Sequence, residues 1–474
     1  MRIVITGAGI AGLFSALFLA RDGHDIVLLE RDATPLPGSP DEAFTWNRRG
    51  APQVRHPHAF LARLRNILRD ELPEVRQALL DAGSLEVSWG DFAPETLDDR
   101  SAQPGDEDLT LIACRRTTFE WVLRRAALKT EHVDLRDGVK VTGLITAPGT
   151  SPPRVTGVRT SHGDIDADLV VDAGGRHSSM KTLLGVIGVE VPEVKHDAGM
   201  VYLSRFYRLR QGAVEPDQQA FNGGTLGYLG YGIFRGDNRT FSVTIAVGTE
   251  DKELRTLIGP ARFDAAASLL PASRAWVDPL VAEPIADAHS MAGLVNRVRD
   301  LVADERPSVL GFVAVGDALV CTNPLYGRGC SLGAVHARLL ATALHNHGSD
   351  LEALALELHA SAQEEMLPWY HASVAQDDAS RLARLAGPGG DVTTSLITEG
   401  LLPLTRIDAK VSRAFFRAVN LLSPPNAVLN DSELMARVLA YWQTRASRPP
   451  VEAVGPTRDE MIAALSAVAG SRSI

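Results

Sequence analysis

The stretch RIVITGAGIAG, residues 2–12, joins a short apolar run to a glycine-rich turn. Gly7, Gly9 and Gly12 have the G-x-G-x-x-G spacing that follows the first strand of dinucleotide-binding folds. Gly7 permits the tight turn, Gly9 lets the backbone approach a pyrophosphate, and Gly12 lets a helix pack closely on the strand. The stretch therefore predicts a buried strand, a phosphate-binding turn and a helix whose N-terminus faces the phosphates.

The residues that follow complete a nucleotide-binding unit. Ile10 and Ala11 open the predicted helix, and a second apolar run, DIVLLE, ends at Glu30. A carboxylate at this point usually accepts hydrogen bonds from the ribose hydroxyls of an adenine nucleotide. Arg31, directly after it, is a further candidate for cofactor binding. This unit predicts a dinucleotide but does not distinguish NAD from FAD.

The composition is that of an ordinary globular protein, with 474 residues of which 22% are charged. A formal net charge of -10 argues against nonspecific binding of nucleic acid. Cys114, Cys321 and Cys330 form no C-x-x-C pair, which fits a reducing compartment, so we expect a cytoplasmic protein. Glycines interrupt the apolar run at residues 3–20, which favours a strand, turn and helix over a membrane span.

Three later segments carry further signals. Residues 111–127, LIACRRTTFEWVLRRAA, predict a short strand and an amphipathic helix with Arg116 at the turn between them. Residues 167–180, ADLVVDAGGRHSSM, predict a buried strand that ends in glycines. Residues 316–337, GDALVCTNPLYGRGCSLGAVHA, predict a glycine-rich loop that opens a helix. Strand ends of this kind line ligand clefts in open α/β sheets.

In this order the segments resemble the flavoprotein monooxygenases related to p-hydroxybenzoate hydroxylase, over residues 1 to about 345. The resemblance implies an α/β protein with a Rossmann-like FAD-binding domain of glutathione-reductase type, built from residues 1–190 and 300–345. An antiparallel β-sheet substrate domain is then inserted at residues 191–299. A C-terminal helical region covers residues 346–474.

The resemblance also assigns cofactor residues by position, with FAD as the cofactor. The cofactor-binding residues that it implies are Gly7, Gly9, Ile10, Ala11, Gly12, Glu30, Arg31, Arg116, Asp317, Pro324, Gly327, Gly329 and Cys330. Among these, Asp317 would bind the ribityl hydroxyls. The helix that begins near Cys330 would direct its positive N-terminal end at the flavin ring.

A further loop, RRGAPQVRHPHAFLARLRNIL at residues 48–68, is similar to a G-x-P-Q-x-R-H-x-H loop of bacterial flavin-dependent oxidoreductases. It makes Arg48, His56 and His58 candidates for the flavin side of the site. The two histidines lack a third or fourth ligand at a convincing spacing, so we predict no metal.

Residues 200–247 alternate in the manner of antiparallel strands and carry several aromatic side chains. Tyr228 and Tyr231, together with Tyr202 and Phe206, are candidate walls of a substrate pocket, with an ordinary core position as the alternative. The helices after residue 351 are expected either to cover the cleft or to form a homodimer contact.

The resemblance implies an FAD-dependent monooxygenase that hydroxylates or epoxidises an apolar or aromatic small molecule with O₂, through a flavin C4a-hydroperoxide. No serine, cysteine or histidine forms a recognisable nucleophile–base set, so no catalytic residue is assigned. Gly174 stands where hydroxylases of the family usually carry an Asp linked to pyridine-nucleotide use. NADH, NADPH and a separate flavin reductase therefore all stay open as electron donors.

Two other functions stay open at this point. One is a flavin-dependent reductase or dehydrogenase of an isoprenoid-like substrate. The other is a non-catalytic binding protein on the same scaffold.

Overall fold

The computed structural model describes residues 1–216, 223–386, 392–448 and 455–470. Its strands alternate with helices over the first two thirds of the chain. They are β1 (Arg2–Thr6), β2 (Asp25–Glu30), β3 (Leu85–Ser88), β4 (Thr110–Ala113), β5 (Val133–Asp137), β6 (Val141–Thr146), β7 (Val155–Thr160), β8 (Gly163–Asp166), β9 (Leu169–Asp172), β10 (Glu193–Asp197), β11 (Met200–Leu209), β12 (Gly223–Thr225), β13 (Leu229–Arg235), β14 (Thr240–Gly248), β15 (Ala282–Pro284), β16 (His289–Met291), β17 (Val295–Arg299), β18 (Val302–Ala303), β19 (Arg306–Pro307), β20 (Phe312–Ala314) and β21 (Val320–Cys321).

The described chain after β21 is helical. The helices are α1 (Ile10–Arg21), α2 (Pro40–Ala43), α3 (Ala62–Glu71), α4 (Pro73–Asp81), α5 (Trp89–Phe92), α6 (Arg116–Lys129), α7 (Met180–Val186), α8 (Pro260–Leu269), α9 (Gly329–His347), α10 (Leu351–Glu365), α11 (Leu367–Ala386), α12 (Val392–Ser395), α13 (Leu402–Leu404), α14 (Ala409–Val419), α15 (Ala427–Asn430), α16 (Ser432–Gln443) and α17 (Arg458–Gly470). A π-helical segment, Leu396–Leu401, joins α12 to α13. Among the residues described, no helix combines the length and apolar character needed to cross a bilayer.

The central sheet is parallel and has the strand order β20-β9-β1-β2-β5. Its inner strands are nearly continuous apolar runs because both faces are covered. Ile3 and Ile5 pack on one face in a core shared with α1, α6 and α9. Val4 faces the other side, where it joins a core with the antiparallel sheet β6-β7-β8 and with α7. The mixed α/β architecture predicted from the sequence is confirmed.

A second, antiparallel sheet has the order β12-β13-β14-β11-β15, and β16 also pairs with β11. Strands β11 and β14 pair from Met200↔Gly248 to Arg208↔Thr240. Alternate residues separate the two faces: Leu203 and Val243 pack in a core with α8, whereas Ser204 and Thr244 line a cavity.

The C-terminal helices pack in three places. Helices α10 and α11 extend the core of the central sheet through Leu358 and Trp369. Helices α13 to α16 surround a small core of their own that contains Val411. Helix α17 lies apart from them and contributes Met461 and Leu465 to the core of the second sheet.

A buried carboxylate joins the two main sheets. Asp237, in the turn between β13 and β14, is fully buried and accepts hydrogen bonds from Arg115, the N-cap residue of α6. The backbone N–H of Arg115 donates to Oδ1 at 2.7 Å, and its Nη2 donates to Oδ2 at 2.6 Å. Thr118 Oγ1 adds a third donor at 2.9 Å. The second sheet is therefore fixed to helix α6 by a charged, fully buried contact.

We expect Asp237→Ala to lower the free energy of unfolding by about 3–5 kcal/mol, because it leaves the buried Arg115 guanidinium with only the exposed carboxylate of Asp41, at 3.3 Å, as a counter-charge. Urea unfolding would measure this loss. Asp134→Ala is the control, since its exposed pair with Arg136 should cost less than about 1 kcal/mol. Equal losses in the two variants would contradict a joining role for Asp237.

The same pair predicts a pH dependence. Burial raises the pKa of Asp237, but hydrogen bonds and charge from Arg115 outweigh it and hold that pKa below its usual value. The resulting stability is present above the unfolded pKa of about 3.9 and is lost as pH falls through the lower folded value. The difference between the wild type and Asp237→Ala should therefore narrow below about pH 4.

Candidate active site

A cavity of about 2590 Å³ opens at the carboxyl ends of the central strands. Thr6, Glu30 and Asp172, the last residues of β1, β2 and β9, all line it. Ligands of open α/β sheets bind at this edge. The volume exceeds the roughly 300–1,000 Å³ of a typical ligand pocket, so the cavity has room for more than one ligand.

Most of the residues singled out in the sequence meet in this cavity. Its lining includes Gly7, Gly9, Ile10, Ala11, Glu30, Arg31, Arg48, His56, His58, Arg116, Tyr231, Asp317, Pro324, Gly327, Gly329 and Cys330. Tyr202 also lines it. Residues from both ends of the sequence, over 300 positions apart, therefore share one space.

Three of the candidates do not line the cavity. Gly12 lies beneath the first turn, where a Cβ would overlap the carbonyl oxygen of Gly7. Tyr228 donates its hydroxyl to the carbonyl of Pro456 at 2.8 Å, which places it against the segment before α17. The Phe206 ring packs edge-on against Phe44, with centroids 5.5 Å apart.

The first glycine turn has the shape of a phosphate cradle. Gly7 adopts φ +104°, and a Cβ there would lie 2.7 Å from the carbonyl oxygen of Ala173. Gly9 is the N-cap residue of α1, and a Cβ on it would meet no protein atom within 4 Å. The space above Gly9 therefore belongs to the cavity. The free N–H groups at the start of α1 suit the diphosphate of a dinucleotide there.

The late loop packs directly against this turn. Gly316 adopts φ +59°, and a Cβ there would lie 2.9 Å from the Cβ of Ala11. A Cβ on Gly333 of α9 would likewise lie 3.5 Å from the Cβ of Ala11. His336 Nδ1 accepts the backbone N–H of Gly316 at 3.0 Å, and burial lowers the pKa of His336 to about 4, so the ring is neutral. Small residues thus bring the two glycine loops into contact.

Arg48, a candidate for the flavin side of the site, lies beside Glu30, the predicted ribose acceptor. Its Nη2 donates to Glu30 Oε2 at 3.0 Å, and its Nε donates to Glu120 Oε1 at 2.7 Å. Burial lowers the pKa of Arg48, but the carboxylates of Glu120 and Glu30 outweigh it and raise that pKa above its ordinary value. Arg48 therefore fixes the orientation of Glu30 at the mouth of the nucleotide site.

Glu120 also binds a second arginine of the cavity lining, Arg116. Glu120 Oε2 accepts from Arg116 Nη2 at 3.2 Å, and Arg116 Nη1 lies 3.0 Å from Cys330 Sγ at the start of α9. Glu30, Arg48, Glu120, Arg116 and Cys330 form a continuous buried chain, which we call the ion chain. Glu120 was not among the sequence candidates, although it follows Arg116 by one turn of the same helix.

Both loop histidines are neutral at pH 7. His56 Nδ1 lies 3.1 Å from Ser204 Oγ on the second sheet, and burial lowers the pKa of His56 to about 4. His58 Nδ1 donates to the carbonyl of His56 at 3.0 Å. Burial and then the charge of Arg116 lower the pKa of His58 to about 3. Within the described ranges no group of three His, Cys, Asp or Glu side chains could hold a metal ion.

Two carboxylates mark the middle of the cavity. Asp317 follows Gly316 and lies beside the start of α9, with Oδ1 at 3.7 Å from the position of a Cβ on Gly329. Burial raises the pKa of Asp317, against the opposing charges of Arg176, Arg116 and Arg297. Asp172 accepts the backbone N–H of Gly174 at 2.8 Å and is also bonded to Ser178. Asp172 therefore fixes the strand end, and Gly174 beside it is exposed.

Comparisons with known proteins agree with this geometry. Residues 1–210 match the family model described as an FAD binding domain. The fold and the site thus define a protein with an FAD-binding domain in its N-terminal part. This match confirms the predicted FAD-binding domain and FAD as the cofactor.

Particular relatives can be named. Protein Rv3254 of Mycobacterium tuberculosis is 28% identical over 395 residues, which are 77% of each chain. The structure of PqsL, a probable FAD-dependent monooxygenase from Pseudomonas aeruginosa, superposes with a TM-score of 0.59 at 16% identity, covering 81% of this chain and 96% of PqsL. OxyS anhydrotetracycline hydroxylase from Streptomyces rimosus gives 0.58 at 19% identity, covering 89% of this chain and 76% of OxyS.

The two glycines of the first turn allow a matched test. Gly9→Ala should leave the free energy of unfolding of the apoprotein within about 0.5 kcal/mol of the wild type, because its methyl group meets no protein atom. It should weaken FAD binding at least about tenfold, since the methyl group occupies the space above the turn.

Gly12→Ala, in contrast, should destabilise the apoprotein itself. Its methyl group overlaps Gly7, so the free energy of unfolding should fall by about 1–3 kcal/mol. Urea unfolding and FAD titration followed by flavin fluorescence would measure both effects. Unchanged FAD affinity in Gly9→Ala would mean that the diphosphate does not lie at this turn.

Proposed function

We propose that this chain is an FAD-dependent monooxygenase that hydroxylates or epoxidises an apolar or aromatic molecule larger than a single ring. One observation carries the proposal. The cavity that contains both glycine loops continues without interruption between the second sheet and the C-terminal helices. A cofactor held by the loops would therefore adjoin a separate, apolar space for a substrate.

The residues of the cofactor side fit FAD. The turn at Gly9 would take the diphosphate, and Glu30, oriented by Arg48, would bind the adenosine ribose. Asp317 would accept hydrogen bonds from the ribityl hydroxyls. The N-terminus of α9 would face the flavin ring, where the positive end of the helix dipole favours an anionic reduced flavin. When bound and reduced, the cofactor supplies the electrons that activate O₂.

The strand order of the central sheet supports the Rossmann-like domain of glutathione-reductase type. We keep the division into residues 1–190 with 300–345, residues 191–299, and residues 346–474 as part of the proposal. Helix α17 belongs to the last of these units and packs on the second sheet, so it joins the last unit to the one before it.

The substrate side of the cavity is mainly apolar. The residues that form it come from the second sheet and the C-terminal helices and include Leu229, Tyr231, Ile233, Trp276, Ile397, Leu402, Phe415, Phe416 and Val419. Such walls exclude water, which would otherwise cause activated oxygen to be lost before it reaches the substrate. Two cations of this lining have carboxylate partners, Arg235 with Glu215 at 2.6 Å and Arg384 with Glu250 at 3.4 Å. The charges of these two arginines are therefore balanced within the protein.

The region around Gly174 supports electron delivery by a separate flavin reductase. Asp172, the nearest carboxylate to the usual position of the family's Asp, is committed to Gly174 and Ser178. A carboxylate held in this way has little freedom to serve a nicotinamide cofactor. NADH and NADPH oxidation with and without an added flavin reductase would test this part of the proposal.

The central experiment uses the purified protein with FAD, a reductant system and ¹⁸O₂, with a panel of neutral one-ring and multi-ring aromatic and alkene compounds. A monooxygenase transfers one oxygen atom to product and releases the other as water, so one ¹⁸O should appear in the product by mass spectrometry. Saturation of a double bond without O₂ would replace the proposal by a reductase. A protein that binds no FAD would replace it by a binding protein.

The size of the substrate can be tested by narrowing the cavity. Ala379 lies on α11 and lines the cavity, so Ala379→Phe should lower kcat/KM for multi-ring substrates by roughly tenfold and affect one-ring compounds less. Ala360→Phe, on an exposed position of α10 that does not line the cavity, is the matched control. Equal effects on all substrates would contradict a large substrate at this wall.

A further inference from the structure

One face of α11 contacts the late glycine loop. Ser373, Gln376 and Asp377 are spaced i, i+3 and i+4, so their side chains project from the same side of the helix. Each of them makes a hydrogen bond to a residue between 323 and 328, the segment that we call the flavin loop. Helix α11 lies outside both segments assigned to the FAD-binding domain.

Asp377 is the centre of this contact and is 2% exposed. Its Oδ1 accepts from Asn323 Nδ2 at 2.7 Å and from the Tyr326 hydroxyl at 2.8 Å. Its Oδ2 accepts from Asn296 Nδ2 at 2.6 Å. All three donors are neutral. The carboxylate therefore joins the flavin loop to β17 through hydrogen bonds alone and forms no ion pair with these three residues.

Asn323 transmits this contact to the rest of the loop. Its Oδ1 accepts from the Tyr202 hydroxyl at 2.6 Å and from the backbone N–H of Leu325 at 3.1 Å. Its own backbone N–H donates to Asn296 Oδ1 at 2.7 Å. The amide of Asn323 therefore has a fixed orientation, with its NH₂ group committed to Asp377.

Arg328 binds the same helix at the other end of the loop. Its Nη1 donates to Ser373 Oγ at 2.8 Å, and its Nη2 donates to Gln376 Oε1 at 3.0 Å. The guanidinium lies over the rings of Tyr326 and Trp369, 4.7 and 5.1 Å from their centroids. In the described part of the chain no carboxylate forms an ion pair with Arg328, and the neutral partners on α11 hold it in place.

The loop depends on these side chains because it has little regular backbone pairing. Between β21 and α9 it forms only a short 3₁₀ turn, and Gly327 takes φ +65° with its Cβ position 2.6 Å from the Cβ of Ala59. A segment without a sheet or helix ladder must satisfy its polar groups through other partners. Here Asn296 accepts the backbone N–H of Asn323, and α11 binds the side chains of Asn323, Tyr326 and Arg328.

We propose that Asp377 is a positioning residue for the cofactor, which sets the flavin loop, and hence the backbone at Gly327 and Gly329, from the C-terminal helical region. The proposal rests on the proposed function in one respect, namely that the flavin lies beside this loop. It makes α11 a part of the cofactor site rather than only a cover over the substrate cleft.

The test is Asp377→Asn in the full chain, with FAD as the probe. The substituted NH₂ group would face either the donors of Asn323 and Tyr326 or, with the amide turned over, the donor of Asn296, so the loop should lose its fixed position. We expect FAD to bind at least tenfold more weakly by equilibrium titration. At saturating FAD the visible circular dichroism of the bound flavin should differ from that of the wild type, which a purely global loss of stability would not cause.

Asp251→Asn is the matched control. Asp251 holds another C-terminal helix, α17, by accepting from Arg458 Nε at 3.0 Å and from the backbone N–H of Leu254 at 3.0 Å. Asp251 does not line the cavity. This variant should keep the FAD affinity and the flavin dichroism of the wild type.

Ser373→Ala is a milder variant if Asp377→Asn does not fold. It removes only the hydroxyl that binds Arg328, so FAD should bind several-fold more weakly, again with altered dichroism. Wild-type affinity and dichroism in whichever of the two variants folds would overturn the positioning role while leaving the proposed function intact. Failure of the wild type itself to bind FAD would overturn both.

Discussion

The carboxylate of Glu120 is the interaction on which the arrangement of the candidate active site depends. It is fully buried and accepts from Arg48 on one side and Arg116 on the other. Burial raises the pKa of Glu120, but the two arginines outweigh it and lower that pKa. A buried charge without partners is costly. Glu120 is therefore tolerated in the interior only while Arg48 and Arg116 stay beside it, and the two arginines likewise depend on Glu120. The loop of Arg48, helix α6 and the start of α9 are therefore fixed relative to one another before any ligand binds.

The parts of the site that depend on neighbours in sequence were predictable. The strand, turn and helix around Gly7, Gly9 and Gly12 follow from local steric demands, and the structure places the turn at the edge of the cavity. The late loop at Gly316 and Asp317 was assigned by resemblance. The physical reason for its position is visible only in three dimensions, where Gly316 and Gly333 meet Ala11.

The contacts that sequence reasoning did not predict depend on distant partners. Arg48 was a candidate for the flavin side of the site, and its partners Glu30 and Glu120 lie 18 and 72 residues away, with no local pattern that links them. Tyr228 lies directly before β13, three residues from the cavity residue Tyr231, and its hydroxyl donates to the carbonyl of Pro456, 228 residues later. Side-chain periodicity assigns a face of a strand, but it does not tell which element will cover that face.

The contact between α11 and the flavin loop has a consequence for the order in which the chain can become functional. The first glycine turn is complete within thirty residues of the N-terminus, but Asn323 and Tyr326 acquire their acceptor only once Asp377 has been synthesised. A nascent or truncated chain that ends before α11 would contain every glycine of the FAD motifs and still lack the support of the loop. Retention of the cofactor would then report that the polypeptide extends through α11, so the yellow colour of a holoprotein would indicate that synthesis had passed this helix.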